Sequence, residues 1–314
     1  MLEHILCSAT LKTSRGIKFK EGIVVYFKMI EMLVKPKKAE RHPWEMFFVG
    51  FFYASVSLLL VHFIFGNDSV LKEGSGLLLV IFTVISCLPF MYYLIKLEEG
   101  KDIEISDSGK LIKEHSKAIR ALMWLFLGFV VAFSFWYLVF PNQAGQNFNF
   151  QIKTFCAINS PSTSSYDLCL EQHGVSKITG GITSSRAIFG ILSNNISVLI
   201  FTIIFSLIFG AGAIFILVWN ASVIASAVGI FSKESLINLP IGLLRYMIHG
   251  IPEILAYFIG ALAGGIISVA VIRKDLHGES MWRILEDSLI LIIIALVVLF
   301  AAAIMEVYLT PRLF

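Results

Sequence analysis

Charged residues are scarce in this sequence. Only 15% of its 314 residues are Asp, Glu, Lys or Arg, whereas 57% are hydrophobic and the mean hydropathy is +0.82. An ordinary soluble domain has about a quarter of its residues charged, so this composition excludes that class. The ten-residue segments of alternating hydrophobicity that a transmembrane β-barrel needs are also missing. The sequence therefore predicts an all-α, polytopic transmembrane helical bundle.

The sequence motifs of common enzymes are missing as well. No P-loop, no Gly-x-Ser-x-Gly motif, no Cys-x-x-Cys pair and no dinucleotide-binding fingerprint occurs in it. We therefore expect no catalytic residue, no cofactor and no ATP-driven chemistry within this chain, which does not exclude an ATPase as a partner. Basic and acidic residues are balanced in the charged segment after residue 95, so a nucleic-acid partner is not expected either.

Residues 1–43 form a basic N-terminal segment that carries nine Lys and Arg residues. A cleaved signal peptide is not expected, because the apolar core at the start is short, contains a histidine and is followed by Lys and Arg. Apolar side chains recur further on at spacings of three and four, at Ile23, Phe27, Ile30 and Val34. This pattern predicts an amphipathic helix on the anionic cytoplasmic surface of the bilayer, ended by Pro36. A solvated basic arm is the alternative.

Six apolar runs reach the ~20 residues that a helix needs to cross a ~30 Å hydrocarbon layer. They cover about residues 44–65, 76–95, 120–140, 191–213, 251–272 and 285–308. A further apolar stretch at 217–231 predicts a short or re-entrant segment, because the chain has to return across the membrane before residue 251. The spans fall into two groups, three within 44–140 and the rest within 191–314.

The distribution of positive charge predicts the orientation of these spans. Six Lys and Arg residues lie in residues 96–120, but only three lie in residues 141–190. By the positive-inside rule, the N-terminus and the charged loop 96–119 lie in the cytoplasm, and residues 141–190 form an extracytoplasmic loop. The chain is thus expected to be a multi-pass protein of the cell membrane.

Two of the four cysteines, Cys156 and Cys169, fall in the loop 141–190. An extracytoplasmic position favours a disulfide between them, which would stabilise the loop by roughly 3 kcal/mol. Two free thiols are the alternative. The loop is too short to bury much of a core, so a disulfide would supply part of its stability.

Charged side chains interrupt the apolar run after residue 244. Arg245, His249 and Glu253 follow at intervals of four, so on a continuous helix they would share one face. A charge at the bilayer centre costs about 2.5–3.5 kcal/mol, so we expect these groups to face protein or water and to pair with one another. Gly250 and Pro252 predict a break in the helix, with Glu253 in the first turn of a new one.

Three roles are open for this polar cluster. It ties the ends of a broken helix together, or it forms an ion, proton or substrate site at a discontinuous helix, or it binds a metal. The spacing is His-x-x-x-Glu rather than the His-Glu-x-x-His of zinc hydrolases, and no second pair of ligands is visible. A metal site is therefore not expected.

Small residues continue the face that carries this cluster. Ala256, Gly260, Gly264 and Ser268 follow one another at intervals of four. Small side chains let helices approach closely, so we expect this stripe to pack against a neighbouring helix. The candidate partner within the chain is a second stripe formed by Ala221, Ala225 and Gly229. The seam of a homo-oligomer is the alternative.

Four other polar residues lie within apolar runs: Asn194, Asn195, Asn220 and Glu306. The asparagines are expected to form hydrogen bonds between helices, worth about 0.6 kcal/mol each. Glu306 is near the end of its run and is expected to extend towards the membrane surface.

Several of these residues together resemble one protein family. They are Asn194 and Asn195 at the start of a span, Gly210, Gly212, Asn220, Gly229, the stretch HGIPE at 249–253, Gly260, Gly264, and Glu306 before Pro311. The pattern is similar to the stage II sporulation protein M family and covers mainly residues 190–311. The resemblance implies a polytopic protein that anchors other proteins, because the family's named member acts with two cell-wall hydrolases during engulfment of the forespore. A scaffold for envelope proteins is thus expected, with a transporter or channel that uses Arg245, His249 and Glu253 as the alternative.

Overall fold

The protein is helical throughout the part of the chain that its computed structural model describes, residues 35–66, 68, 71–105, 107–159, 163–173, 187–232, 235–273 and 279–313. Within these residues there is no strand, which confirms the all-α prediction. The helices are α1 Pro36–Arg41, α2 Glu45–Leu60, α3 Ser75–Glu104, α4 Ser108–Val139, α5 Pro141–Asn147, α6 Asn149–Asn159, α7 Thr163–Gln172, α8 Ala187–Phe209, α9 Ile214–Phe231, α10 Leu239–Arg273, α11 Glu279–Ile304 and α12 Thr310–Leu313. Short 3₁₀ or π turns adjoin them at Val61–Phe65, Leu71–Gly74, Gly210–Ala213, Leu236–Asn238 and Met305–Leu309.

Six helical segments are long and apolar enough to cross a membrane. They are Glu45–Phe65, Leu71–Glu104, Ser108–Val139, Leu192–Phe231, Leu236–Ile272 and Met281–Leu309. This agrees with the six predicted spans, and the chain is a multi-pass membrane protein. The amphipathic helix predicted for residues 23–34 lies outside the described residues. Pro36, expected to end that helix, begins α1, where its missing N–H costs no hydrogen bond.

The segment Leu192–Phe231 is divided by a glycine turn between α8 and α9. Gly210 has a φ of 59°, a left-handed conformation that glycine adopts without steric cost. Leu199 in α8 lies against Gly260 of α10, and Gly210 at the end of α8 lies beside Ser268. Both contacts advance along the two helices in the same direction, so α8 runs parallel to α10.

The helix α9 runs the opposite way along α10. Phe231 at its end packs against Tyr246 near the start of α10, whereas Ile224 lies near Gly250, further along. The chain therefore folds back at the turn, and α9 is the short additional segment expected at 217–231. The helices α8 and α9 contact different parts of α10 and are therefore held apart from each other.

The central helix of the bundle is α10. It packs against α8, α9 and α11 as well as α3 and α4, and nearly all of its side chains from Ile254 to Ala270 are buried. The helix is continuous from Leu239 to Arg273, so the predicted break at Gly250 and Pro252 is wrong. Pro252 removes only one N–H from the hydrogen-bond ladder, and packing on several sides holds the two halves in line.

Within the segment predicted as the loop 141–190, the structure describes three complete helices, α5, α6 and α7, and we call these three helices the cap. Cys156 and Cys169 form the predicted disulfide, which joins α6 to α7. Gln151 of α6 is buried and donates hydrogen bonds to the carbonyl oxygen of Gly76 and the hydroxyl of Ser222. The cap is thus attached to α3 and α9 on one side of the bundle, the cap side.

The opposite side of the bundle carries the segment predicted to be a charged loop at 96–119. Most of it is helical, because α3 continues to Glu104 and α4 already begins at Ser108. With 30 residues, α3 is about 45 Å long and extends beyond a hydrocarbon layer of about 30 Å. Asp107 begins α4 by accepting hydrogen bonds from the backbone N–H groups of Gly109 and Lys110. We call this end the charged side.

Candidate functional site

Arg245, His249 and Glu253 lie on the half of α10 nearest the cap, four residues apart on a continuous helix. The Arg245 guanidinium lies over the ring of Phe231 in α9, 4.8 Å from its centroid, which is a cation–π contact. His249 is close enough to Arg245 to interact with its positive charge. This end of the predicted cluster is therefore directed towards α9.

Glu253 has different neighbours. The hydroxyl of the buried Tyr257 donates a hydrogen bond to Glu253 Oε1 at 2.8 Å. Glu306, in the π-helical turn after α11, interacts electrostatically with Glu253. Glu306 is half-buried there, although the sequence predicts that it extends towards the membrane surface. The carboxyl group of Glu253 is thus hydrogen-bonded to Tyr257 within its own helix, and it lies within electrostatic range of Glu306 on another helical segment.

The sequence predicts that Arg245, His249 and Glu253 pair with one another, but among the described residues Arg245 and Glu253 form no ion pair. Eight residues of helix separate them, which is about 12 Å along the axis and beyond the reach of an ion pair. In the same described ranges, no group of three or more His, Cys, Asp or Glu side chains is placed to hold a metal ion. Two carboxyl groups beside a phenol in an apolar layer can instead hold a proton or a small cation.

The small-residue stripe of α10 packs against α8. A Cβ on Gly264 would lie 2.7 Å from the carbonyl oxygen of Ile203, and one on Gly260 would lie 2.5 Å from Leu199. Ala256 and Ser268, the remaining members of the stripe, are buried as well. The stripe is therefore an internal seam, as expected, and not the seam of a homo-oligomer.

The predicted partner of this seam is wrong. The stripe that contains Ala221, Ala225 and Gly229 belongs to α9, whose closest packing is with α4. A Cβ on Gly229 would lie 2.3 Å from the ring of Tyr137 in α4. The spacing of small residues along the sequence does not show whether α8 or α9 packs against the stripe of α10, because either helix could approach a face of small side chains closely.

The asparagines form local hydrogen bonds in the described residues. The side-chain amide of Asn220 donates to the carbonyl oxygen of Ile216 in its own helix at 2.8 Å. Asn194 is exposed and donates to the side chain of the buried Asn195 at 3.3 Å. These bonds lie within α8 or α9 and do not connect helices as predicted, because each amide finds an acceptor within one turn.

Sequence patterns alone did not reveal a buried cluster on the charged side. Its members are Glu98, Glu99 and Asp102 of α3 and His115 of α4, each with at most 1% of its surface exposed. His115 Nδ1 lies 2.8 Å from Glu98 Oε2, and His115 Nε2 lies 3.5 Å from Asp102 Oδ1. Lys101 adds a cation, 2.6 Å from Glu98. We call these five residues the charged cluster.

The signal that could have revealed the charged cluster is the spacing within α3. Glu98 and Asp102 are four residues apart and directly continue an apolar helical run, so they share a face if the helix continues. Hydropathy instead ends the span at residue 95 and predicts a loop at 96–119. A carboxylate pair next to an apolar run occurs both in loops and in helices. Only a partner on another helix, such as His115, shows that this segment is helical and buried.

Comparisons with known proteins place this chain near one family. A sequence model described as Stage II sporulation protein M matches residues 121–311. An uncharacterized protein of Methanocaldococcus jannaschii is 34% identical over 132 residues, which cover 39% of this chain and 70% of that protein. No solved structure matches the chain. The family match includes α8 to α11, the cap and most of α4, and it begins after the charged cluster.

Proposed function

This chain belongs to the stage II sporulation protein M family, and on that premise we propose that it is a non-enzymatic scaffold that anchors envelope-associated proteins in the cell membrane. In this proposal the charged side faces the cytoplasm and the cap lies outside, because Lys and Arg residues concentrate at cytoplasmic ends of spans. The protein would hold its partners in place and would not transform a substrate.

The construction of the cap is the observation that supports this role most directly. A disulfide joins α6 to α7, and Gln151 attaches α6 to the bundle. The same unit presents exposed side chains, among them Leu168 and Glu171 next to the disulfide. A surface that is already ordered loses little conformational entropy when a partner binds, so it suits docking.

The interior of the bundle also fits a structural role. At Gly260 side chains of α8 approach α10 closely, and at Gly264 the backbone of α8 does so. The hydroxyl of Ser206 also donates to the carbonyl oxygen of Ala261 across this seam. On another side of α10, the rings of Phe126 and Phe258 meet edge to face. Close packing of this kind favours a rigid support for the cap over a path for a solute.

Site-specific photo-cross-linking from the cap tests the scaffold. A photoreactive amino acid at Leu168, 59% exposed on α7, should form adducts with other proteins in native membranes. The matched control is the same substitution at Leu289, 57% exposed on the apolar helix α11, where adducts with lipid are expected. Equal amounts of protein adduct at Leu168 and Leu289 would contradict a docking role for the cap. The same conclusion would follow if photoreactive residues at Leu168 and at Glu171 gave no protein adducts.

A transporter or channel is the second candidate, and the hydrogen-bonded pair of Glu253 and Tyr257, with Glu306 within electrostatic range, favours it. Carboxyl groups inside an apolar layer are costly and commonly mark a path for protons or ions. Conduction requires that water reach Glu253 from at least one side of the membrane. The two candidates therefore differ in the solvent access of this half of α10.

Cysteine labelling distinguishes the two candidates. Ile248→Cys and Ile254→Cys would be introduced beside His249 and Glu253 after the native Cys7 and Cys87 are replaced by alanine. A charged, membrane-impermeant maleimide should label neither position from either side, whereas Leu168→Cys in the cap should react. Rapid labelling of Ile254→Cys from one side would instead establish an aqueous path and favour transport.

A further inference from the structure

A cavity of about 490 Å³ opens on the charged side, between α1 and the adjoining ends of α3 and α4. Its lining is rich in positive charge. The basic lining residues are Lys37, Arg41, Lys101, Lys117 and Arg120. The two acidic ones are Glu40 and Glu114, so the lining carries an excess of cations.

Ion pairs account for only part of this positive charge. Lys101 Nζ lies 2.7 Å from Glu40, and Lys117 Nζ lies 2.5 Å from Glu114. Within the part of the chain that the structure describes, Lys37, Arg41 and Arg120 are in no ion pair. Three cations from two helices are thus left around one cavity.

The cavity lies at the level where the apolar layer ends. Arg120 is the last charged residue before the long apolar run of α4, and Pro43 in the lining is followed by Trp44, which is 54% exposed. Exposed tryptophans are typical of the membrane–water interface. Leu97 and Pro43 add apolar surface to the lining. The lining therefore combines apolar surface, which suits hydrocarbon, with cationic groups that suit an anion.

We propose that this cavity binds a phosphate group through Lys37, Arg41 and Arg120. Guanidinium groups match the geometry of phosphate oxygens and bind them with paired hydrogen bonds, and the lysine adds a compact charge. The headgroup of an anionic phospholipid and a free phosphate ion share this chemistry. The position at the interface favours the lipid, because basic groups there attract anionic headgroups. This site does not depend on the scaffold role.

Lipid binding to the purified full-length protein tests the proposal. Native mass spectrometry, with phosphatidylglycerol titrated into the detergent-solubilised protein, should resolve a tightly bound lipid. The triple variant Lys37→Gln/Arg41→Gln/Arg120→Gln should lose about tenfold or more in affinity, since each interfacial cation contributes to headgroup attraction. The single variant Lys37→Gln changes an exposed side chain and should show a smaller loss in the same direction.

The matched control removes three equal charges outside the cavity. Lys96, Lys110 and Lys113 are exposed on the charged ends of α3 and α4 and do not line the cavity. The triple variant Lys96→Gln/Lys110→Gln/Lys113→Gln should bind phosphatidylglycerol within about twofold of the wild-type protein. Circular dichroism and gel filtration of both triple variants would show whether the fold is retained.

Parallel titrations identify the source of the phosphate. Phosphatidylglycerol should raise the melting temperature of the wild-type protein but not that of the cavity triple variant, and phosphatidylcholine should have a smaller effect. If inorganic phosphate raises the melting temperature and phosphatidylglycerol does not, the cavity binds a soluble anion. The proposed phosphate site would then still be supported. Equal losses in the cavity and control triple variants, or no response to either probe, would overturn the proposal.

Discussion

His115 shows how a single buried residue holds two helices together on the charged side. Its ring lies between Glu98 and Asp102 of the neighbouring helix and has 1% of its surface exposed. Buried carboxylates are costly unless a cation or a hydrogen bond compensates them. His115 and Lys101 provide that compensation for Glu98 at the point where α3 and α4 pass beyond the apolar layer.

Replacement of His115 by alanine should therefore destabilise the protein strongly. The change removes the partner of the buried Glu98 Oε2, and breaking a buried pair in this way costs about 3–5 kcal/mol. The free energy of unfolding in detergent, measured with denaturant, checks this. Lys113→Ala on the same helix alters an exposed side chain and should change it by less than about 0.5 kcal/mol. Equal effects of the two variants would contradict the importance of the charged cluster.

Glu40 should make the stability of the protein depend on pH near neutrality. Burial, followed by its interaction with Glu98, raises the pKa of Glu40 from 4.5 to about 7, although Lys101 opposes this shift. Because the pKa is higher in the folded state, the contribution of this group is fully present below about pH 4.5 and is lost as the pH rises through about 7.

The comparison that checks this uses Glu40→Gln, which cannot lose a proton. Between about pH 5 and pH 8 the melting temperature of the wild-type protein should fall relative to that of Glu40→Gln. Glu104→Gln, which removes an exposed carboxylate of α3, should give a curve parallel to that of the wild-type protein. A constant difference between wild type and Glu40→Gln across this range would show that Glu40 does not titrate there.

At the scale of helices, glycines decide which elements are neighbours. A Cβ on Gly50 of α2 would lie 2.2 Å from the carbonyl oxygen of Leu125 in α4, and one on Gly264 would meet that of Ile203 in α8. Between membrane spans there is little hydrophobic driving force, so close van der Waals contact is what holds such pairs together. Each of these two helix pairs can pack this closely only because the glycine at the contact has no side chain.

Two alanine substitutions on α10 should therefore have opposite effects. Gly264→Ala places a methyl group 2.7 Å from a backbone oxygen that cannot move away easily, and overpacking of this kind costs about 1–3 kcal/mol. Gly250→Ala meets only the ends of flexible side chains at 3.6 Å or more and gains about 0.5–1 kcal/mol of helix propensity. Melting temperatures should fall for the first variant and stay level or rise for the second. A fall in both would indicate that α10 is strained at Gly250.

At the scale of the whole molecule, the bundle and the cap are stabilised by different means. The bundle has a continuous apolar core, with α10 at its centre. The cap has no separate core among the described residues, because its buried apolar side chains, such as Ile152, belong to the core of the bundle. One disulfide joins two of its helices. We therefore expect the cap to open locally before the bundle unfolds.

Removal of the disulfide should loosen the cap and leave the bundle folded. Cys156→Ser/Cys169→Ser releases a loop closed over 13 residues, which lowers cap stability by roughly 3 kcal/mol. Hydrogen exchange should become faster in α6 and α7, while protection in α10 stays unchanged. Loss of protection throughout the molecule would mean that the cap and bundle unfold as one unit.

Much of the fold can be predicted from patterns along the chain. The six apolar segments, the short α9 and the disulfide are of this kind, because hydropathy and cysteine position act locally. The predicted break at Pro252 is wrong, since packing on several sides of α10 overrides a local rule about proline. Arg245, His249 and Glu253 are predicted to pair with one another, but Arg245 and Glu253 cannot, because a continuous helix keeps them two turns apart.

The sequence by itself determined that this chain spans a membrane as helices, because apolar composition leaves no other way to satisfy the backbone in lipid. It also indicated that α10 would be a seam of small residues. The tertiary structure decided which helix fills that seam, that Tyr257 donates a hydrogen bond to Glu253, and that Glu98, Glu99 and Asp102 are buried with His115 beside a basic cavity. These outcomes depend on contacts between residues far apart in sequence, and such contacts leave no periodic signal in either segment alone.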